Sequence, residues 1–229
     1  MSLLIAVGVD QLAGRCEVAD VRAVHGQRHY EEGAVVPFGP WRPVTRELAE
    51  RLVPAVGTPG DILVELVDVK NIDRARLDDP GVTYLGRALG SADALTTTPN
   101  HRDGRLIGLH LDNWDKLAYS AKHTGRRRLC VNLGPGVRYL LVCDQDAQAV
   151  CRAAHTDWAT RHPHTDDVRG WVAEGRPLHC YRLRLEPGNG YLAPTEFLPH
   201  DGSTEGQLES SAAFWLGHWP RDCFATAVL

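Results

Sequence analysis

Residues 127–143 read RRLCVNL, then GPG, then VRYLLVC. Two apolar runs rich in Val, Leu, Tyr and Cys flank Gly134-Pro135-Gly136, whose residues favour a tight turn. The spacing predicts a strand over 127–133 and a returning strand over 137–143, paired as a β-hairpin. The same grammar repeats downstream. His179 to Leu185 (HCYRLRL) alternates, with Cys180, Arg182 and Arg184 on one side and Tyr181, Leu183 and Leu185 on the other. Glu186-Pro187-Gly188-Asn189-Gly190 is a turn, Tyr191-Leu192-Ala193 opens a short strand, and residues 211–219 (SAAFWLGHW) supply a last one. Upstream, Leu106 to Leu111 (LIGLHL) and Asp61 to Val69 (DILVELVDV) read as strands, and Gly81 to Leu85 as a short edge segment.

Three stretches carry helical periodicity instead. Val44 to Val56 has Thr45 as N-cap, Leu48, Leu52 and Val56 at four-residue spacing, and Gly57 and Pro59 as stops. Asp144 to His162 places Val150, Ala154 and Trp158 on one face, and Asp166 to Glu174 reads as a shorter helix. So few helices, so irregularly placed, exclude a parallel doubly wound sheet. Many short strands between Gly/Pro turns predict a mainly β fold with flanking helices, a sandwich or barrel of jelly-roll type. A chain of 229 residues is the size of one domain. Residues 1–100 are expected to be an N-terminal helical and strand elaboration whose helices cover one sheet. Residues 101–229 form the expected core, with 144–178 as an insertion between strands.

Composition bounds the function. With 43% hydrophobic and 24% charged residues the chain can bury a real core. No apolar run is long enough to span a bilayer. The apolar start, Met1 to Val9, lacks a basic segment and meets Asp10, so it reads as a strand or buried start, not a secretion signal. The net charge of −4 does not favour nucleic acid or anionic lipid. Six cysteines form no CxxC pair, and most sit in apolar strand contexts, which predicts reduced thiols and a cytoplasmic protein.

His-x-Asp occurs four times: His101/Asp103, His110/Asp112, His155/Asp157 and His164/Asp166. In a strand, residues i and i+2 point to one face and can grip one cation from adjacent corners of its shell. Only His110/Asp112 follows an apolar strand. His101/Asp103 and His164/Asp166 lie in polar stretches, and His155/Asp157 falls within a predicted helix, where i and i+2 diverge. A third ligand must come from a distant strand. The segment LEPGNGYLAP at 185–194, continuing to His200, supplies one. Two histidines and a carboxylate on one face of an octahedron are typical of non-haem Fe(II) oxygenases.

HLD at 110–112, the 127–143 segment and LEPGNGYLAP…H at 185–200, in that order, resemble the double-stranded β-helix core of the Fe(II)/2-oxoglutarate-dependent oxygenases, shared with cupins and JmjC-like hydroxylases. The resemblance covers roughly residues 100–220. It implies that His110, Asp112 and His200 are the iron ligands, and that 2-oxoglutarate is the cosubstrate. One departure stands out. Many of these enzymes hold the far carboxylate of 2-oxoglutarate with an Arg on the last strand, but residues 210–215 (SSAAFW) have no basic residue, and Arg221 comes late. The JmjC-like branch places the basic residue on the strand after His-x-Asp, where Arg126-Arg127-Arg128 stands. If Arg128 shares an inward face with Cys130 and Asn132, it is the natural clamp; a register shifted by one gives the role to Arg127. Arg138 is the third candidate. Asn113 and Trp114 follow Asp112 and could line the site mouth, and Asp201 could orient a ligand histidine.

The expected function is therefore an Fe(II)- and 2-oxoglutarate-dependent oxygenase, hydroxylating a small molecule such as an amino acid or natural-product intermediate. A protein or peptide substrate is also compatible. Two rivals stand beside it: a cupin-type metalloenzyme that does not use 2-oxoglutarate, and a non-catalytic β-sandwich binding module with structural histidines.

Overall fold

The computed structural model describes residues 3–53, 63–162, 164–220 and 223–224. The predicted helix end at 54–56, its stops at Gly57 and Pro59, the strand start at 61–62 and Arg221 lie outside them.

Two six-stranded sheets account for the architecture, which is mainly β with flanking helices. The first is ordered β1 (Leu4–Ala6), β4 (Leu63–Asp68), β10 (Asn189–Ala193), β7 (Arg127–Pro135), β12 (Ser210–Gly217) and β5 (Thr83–Gly90). The second is ordered β11 (His200–Ser203), β8 (Arg138–Cys143), β9 (His179–Leu185), β2 (Cys16–Val24), β3 (Tyr30–Pro43) and β6 (Leu106–Gly108). Pairing is antiparallel except for β1 with β4 and β3 with β6. Just beyond β6, an isolated antiparallel bridge between His110 and His200 joins the two ends of the second sheet, so it nearly closes into a barrel. The main core, including Leu66, Leu109, Leu140, Leu183, Tyr191 and Phe197, draws on both sheets.

The two strands of the 127–143 segment exist, but they are not a hairpin. β7 pairs with β10 and β12 in the first sheet, and β8 pairs with β9 and β11 in the second. The reason is burial. Every residue of β8 is buried, so both its edges need strand partners and both its faces need cover. The crossing is fastened by buried Asn132. Its Nδ2 donates to the carbonyls of Gly136 and Leu185, and its Oδ1 accepts from the Gly134 amide and the Ser210 hydroxyl, at 2.7–2.9 Å.

The N-terminal hundred residues do more than cover a sheet with helices. They contribute β1, β4 and β5 to the first sheet and β2 and β3 to the second. β3 is hard to see in sequence because its run YEEGAVVPFGPWRP carries three prolines. It meets β6 only at Tyr30 and Val35, so the proline-rich half needs no ladder on that side. Two short helices, α1 (Val9–Arg15) and α2 (Arg46–Leu52), pack together, and Thr45 caps α2 by accepting from the Leu48 amide at 3.2 Å. A one-turn helix, α3 (Arg74–Leu77), follows β4.

Between β8 and β9 stand α4 (Ala147–Ala154), capped by Asp146, and α5 (Thr165–Ala173), which lies on β2 and β3. The periodicity read through 162 overshoots. The α-helix stops at His155, whose backbone is extended, and Trp158 belongs to a separate 3-10 turn. All six cysteines are free thiols, five of them buried. No helix among the described residues is long and apolar enough to cross a membrane.

Candidate metal centre

Gly108 sets up the centre. Its φ of +71° and the 2.4 Å between an added Cβ and the Val35 carbonyl admit only glycine. The kink ends β6 and turns Leu109 to Asp112 toward the start of β11. There His110 and His200 exchange both backbone hydrogen bonds, at 3.0 and 2.9 Å. The Asp112 amide donates to the Thr195 carbonyl at 3.2 Å. Backbone pairing thus brings three side chains together from positions ninety residues apart in sequence.

His110, Asp112 and His200 are buried, and each offers a ligand atom within 4.8 Å of the others. His110 Nε2 lies 3.9 Å and His200 Nε2 3.6 Å from the Asp112 carboxylate. The Nδ1 of His110 sits 2.8 Å from the Gly108 carbonyl, and that of His200 3.0 Å from the Leu198 carbonyl. Carbonyls only accept, so each Nδ1 carries a proton, and a ring with that one proton has its lone pair at Nε2. Burial pushes the pKa of His200 down to about 3, which keeps that ring neutral. For Asp112 burial works toward protonation, but the Arg128 guanidinium beside it outweighs that and holds its pKa below the usual value. Two imidazole nitrogens and one carboxylate are a donor set that fits a divalent first-row transition metal.

The three arginines separate. Arg127 turns away from this centre. It pairs with Glu65 at 2.5 Å and donates to the Leu192 carbonyl at 3.3 Å. Arg128 faces the same interior as buried Cys130 and Asn132. Its Nη2 is 2.5 Å from Asp112 Oδ2, a close ionic contact not aligned as a hydrogen bond, and its Nη1 is 3.4 Å from His200 Nε2.

Arg138 sits differently. It is 5% exposed, its Nη2 donates to Thr97 Oγ1 at 3.1 Å, and its Nη1 has no hydrogen-bond partner. No carboxylate among the described residues pairs with it. An unpaired buried cation is costly, and here the space for it is built in. A Cβ on Gly202 would meet Arg138 Nη2 at 2.4 Å, and one on Gly90 would meet Nη1 at 3.0 Å. Arg128 and Arg138 both approach the ring of Phe214, at 5.7 and 6.0 Å from its centroid.

A cavity of about 330 Å³ opens beside this cluster, lined by Arg128, Arg138, Tyr191, His200 and Asp201, with Trp114 among its outer residues. Asp201 is fully sequestered. Its Oδ1 accepts from the Thr98 hydroxyl at 2.7 Å and the Gly202 amide at 2.6 Å, while Oδ2, 4.0 Å from His110 Nδ1, has no hydrogen-bond partner. Burial raises its pKa. Asn113 accepts from Lys122 Nζ at 2.8 Å, so it braces the loop. The contributions of Thr97, Gly90 and Gly202 are invisible in sequence, because they arise from the tertiary placement of β5, β11 and the segment between β5 and β6.

The other His-x-Asp pairs are held elsewhere. Asp103 pairs with Arg105 at 2.7 Å, while His101 reaches the cavity lining. The exposed His164 side chain caps α5 at the Asp166 amide. His155 leaves Asp157 and bonds Asp167 at 2.8 Å, next to Cys151. The other Asp167 oxygen takes the Tyr119 hydroxyl at 2.5 Å, so this second cluster ties α4 and α5 to the 119–124 turn.

Neither known protein families nor curated proteins provide a match to this chain.

Proposed function

We propose that the chain is a non-haem Fe(II)- and 2-oxoglutarate-dependent oxygenase that hydroxylates a small molecule, on a double-stranded β-helix of jelly-roll type. One observation carries the reading. A two-imidazole, one-carboxylate cluster borders the same cavity as a buried guanidinium with no acidic partner among the described residues. The first suits a metal and the second suits a carboxylate. The chain path supports the fold. From β5 to β12 the strands fall in the first, second, first, second, second, first, second and first sheet.

His110 Nε2, Asp112 and His200 Nε2 would hold the iron. When bound, iron with 2-oxoglutarate and dioxygen supplies the oxidation, yielding succinate, carbon dioxide and a hydroxylated substrate. The chain's own groups orient and shield. The carbonyls of Gly108 and Leu198 fix both histidine tautomers. Arg128 offsets the charge of Asp112 and keeps it ionised. Arg138 would grip the far carboxylate of 2-oxoglutarate through parallel N–H donors. The ring of Phe214 lies beneath both guanidinium groups.

Anaerobic titration with Fe(II) and then 2-oxoglutarate tests this. The expected result is stoichiometric iron uptake followed by a weak visible charge-transfer band when 2-oxoglutarate is added, and succinate release in air. Iron uptake without that band favours a cupin-type enzyme that does not use 2-oxoglutarate. No iron uptake favours a binding module.

A further inference from the structure

Trp114 is 50% exposed and lines the cavity, and Leu89 of β5, 66% exposed, lines it too, next to Leu85. Large apolar side chains left in water at a cavity mouth mark a recognition surface when mobility does not account for their exposure. Here the loop is locked. Lys122, fully buried, pairs with Glu196 and donates to Asn113 Oδ1 at 2.8 Å. The other Glu196 oxygen accepts the Asp115 amide at 2.7 Å, and Asp115 in turn accepts from Arg126 Nε and the Arg126 amide, each at 2.7 Å. Both neighbours of Trp114 are thus fastened to one buried ion pair. The backbone on both sides of Trp114 is therefore pinned, and its indole stands half in water at the cavity.

We infer that the primary substrate presents an apolar or aromatic body to Trp114, Leu89 and Leu85. The inference rests on the preceding section for the reaction at this cavity, and on the wall itself for the substrate class. The least exposed part of the lining is polar, with Arg128, Arg138, His200 and Asp201. The outer part is mostly carbon surface, with exposed His101 as the polar side chain beside it, so the body is read chiefly by area and stacking. A wall on a backbone that is already pinned loses less freedom on binding than a mobile loop would.

Neutral amino-acid derivatives isolate the side chain as the variable. Calorimetry with N-acetyl-L-phenylalaninamide, N-acetyl-L-leucinamide and N-acetyl-L-glutaminamide should rank phenylalanine and leucine above glutamine by about tenfold or more. Trp114→Ala should weaken the phenylalanine derivative by a similar factor, with its thermal unfolding matching wild type. Leu208→Ser, which alters an equally exposed leucine outside the cavity lining, should leave binding unchanged. Equal binding of all three amides, or no change in Trp114→Ala, overturns the inference. So does a Trp114-dependent dimer, which would assign the patch to a second copy of the chain. Because these readouts need no turnover, amide selectivity without any consumption of 2-oxoglutarate sinks the oxygenase reading and upholds the apolar wall.

Discussion

His110 and His200 are hydrogen-bonded to each other through their backbones, and their rings lie 4.6 Å apart between centroids at 43°. Their separation is set by an antiparallel rung, and each ring's tilt by its own Nδ1 bond to a nearby carbonyl. Two imidazole lone pairs are therefore aimed at one region before any ion arrives.

The consequence is a sharp ligand test. His110→Ala, Asp112→Ala and His200→Ala should each lower bound divalent metal, measured by elemental analysis after dialysis, from about one equivalent to near zero. His164→Ala should load like wild type, since its imidazole only caps α5. Equal metal content in all four variants would remove the centre from consideration.

Arg138 gives a second test. Arg138→Gln should weaken 2-oxoglutarate binding about ten- to a hundredfold, the worth of charge-assisted hydrogen bonds. Gly202→Ala should mimic it without touching the guanidinium, because the new methyl would overlap Arg138 Nη2 and Thr97 Oγ1. Gly90→Ala, with its closest approach at 3.0 Å, should be milder. Calorimetric affinities that stay at the wild-type value in both Arg138→Gln and Gly202→Ala would reassign the carboxylate clamp.

The Trp114 loop has a pH signature. Burial would raise the pKa of Asp115, but the backbone and side-chain N–H groups of Arg126 outweigh it and hold the value below the ordinary one. Folding therefore favours the ionised form. Its stabilisation is complete above the ordinary carboxylate value of about 4 and is lost as pH falls through the lower folded value. The Tm difference between wild type and Asp115→Asn should be constant near neutrality and shrink on acidification. A gap that widens toward acid would reverse the assigned sign.

Lys122 is worth most as half of a pair. Lys122→Met leaves Glu196 buried beside no cation and should cost about 3–5 kcal/mol in chemical denaturation. Adding Glu196→Gln keeps an acceptor for the Asp115 amide, removes the stranded charge, and should recover most of the loss. Additive losses in the double variant would mean that the two groups act independently.

Strand positions were legible wherever a short apolar run met Gly or Pro, as at β7, β9, β10 and β12. Pairing was not. The segment 127–143 has every local mark of a hairpin, yet full burial of β8 decides for a crossing between sheets, and burial is a property of neighbours. β3 escaped for the opposite reason, since its prolines disguise a strand with a partly free edge. The pairing of His110 with Asp112 was legible because alternation puts i and i+2 on one face, whereas His200 came from the resemblance of the 185–200 segment. Alternation likewise grouped Arg128 with Cys130 and Asn132, but left open whether that face or the one carrying Arg127 turns inward. Arg138 ranked third in sequence because nothing there shows that Glu65 takes Arg127, that Asp112 takes Arg128, or that two glycines on other strands make room for a third guanidinium.

The rung between His110 and His200 is also where the second sheet meets its own far end. An ion captured there would act as a latch on the whole barrel, since whatever opens the seam must also release it. Deuterium exchange at the amides of His110 and His200 would then slow on loading, together with β8 and β11 behind them. Stripping the ion would let the cylinder unzip from this rung first.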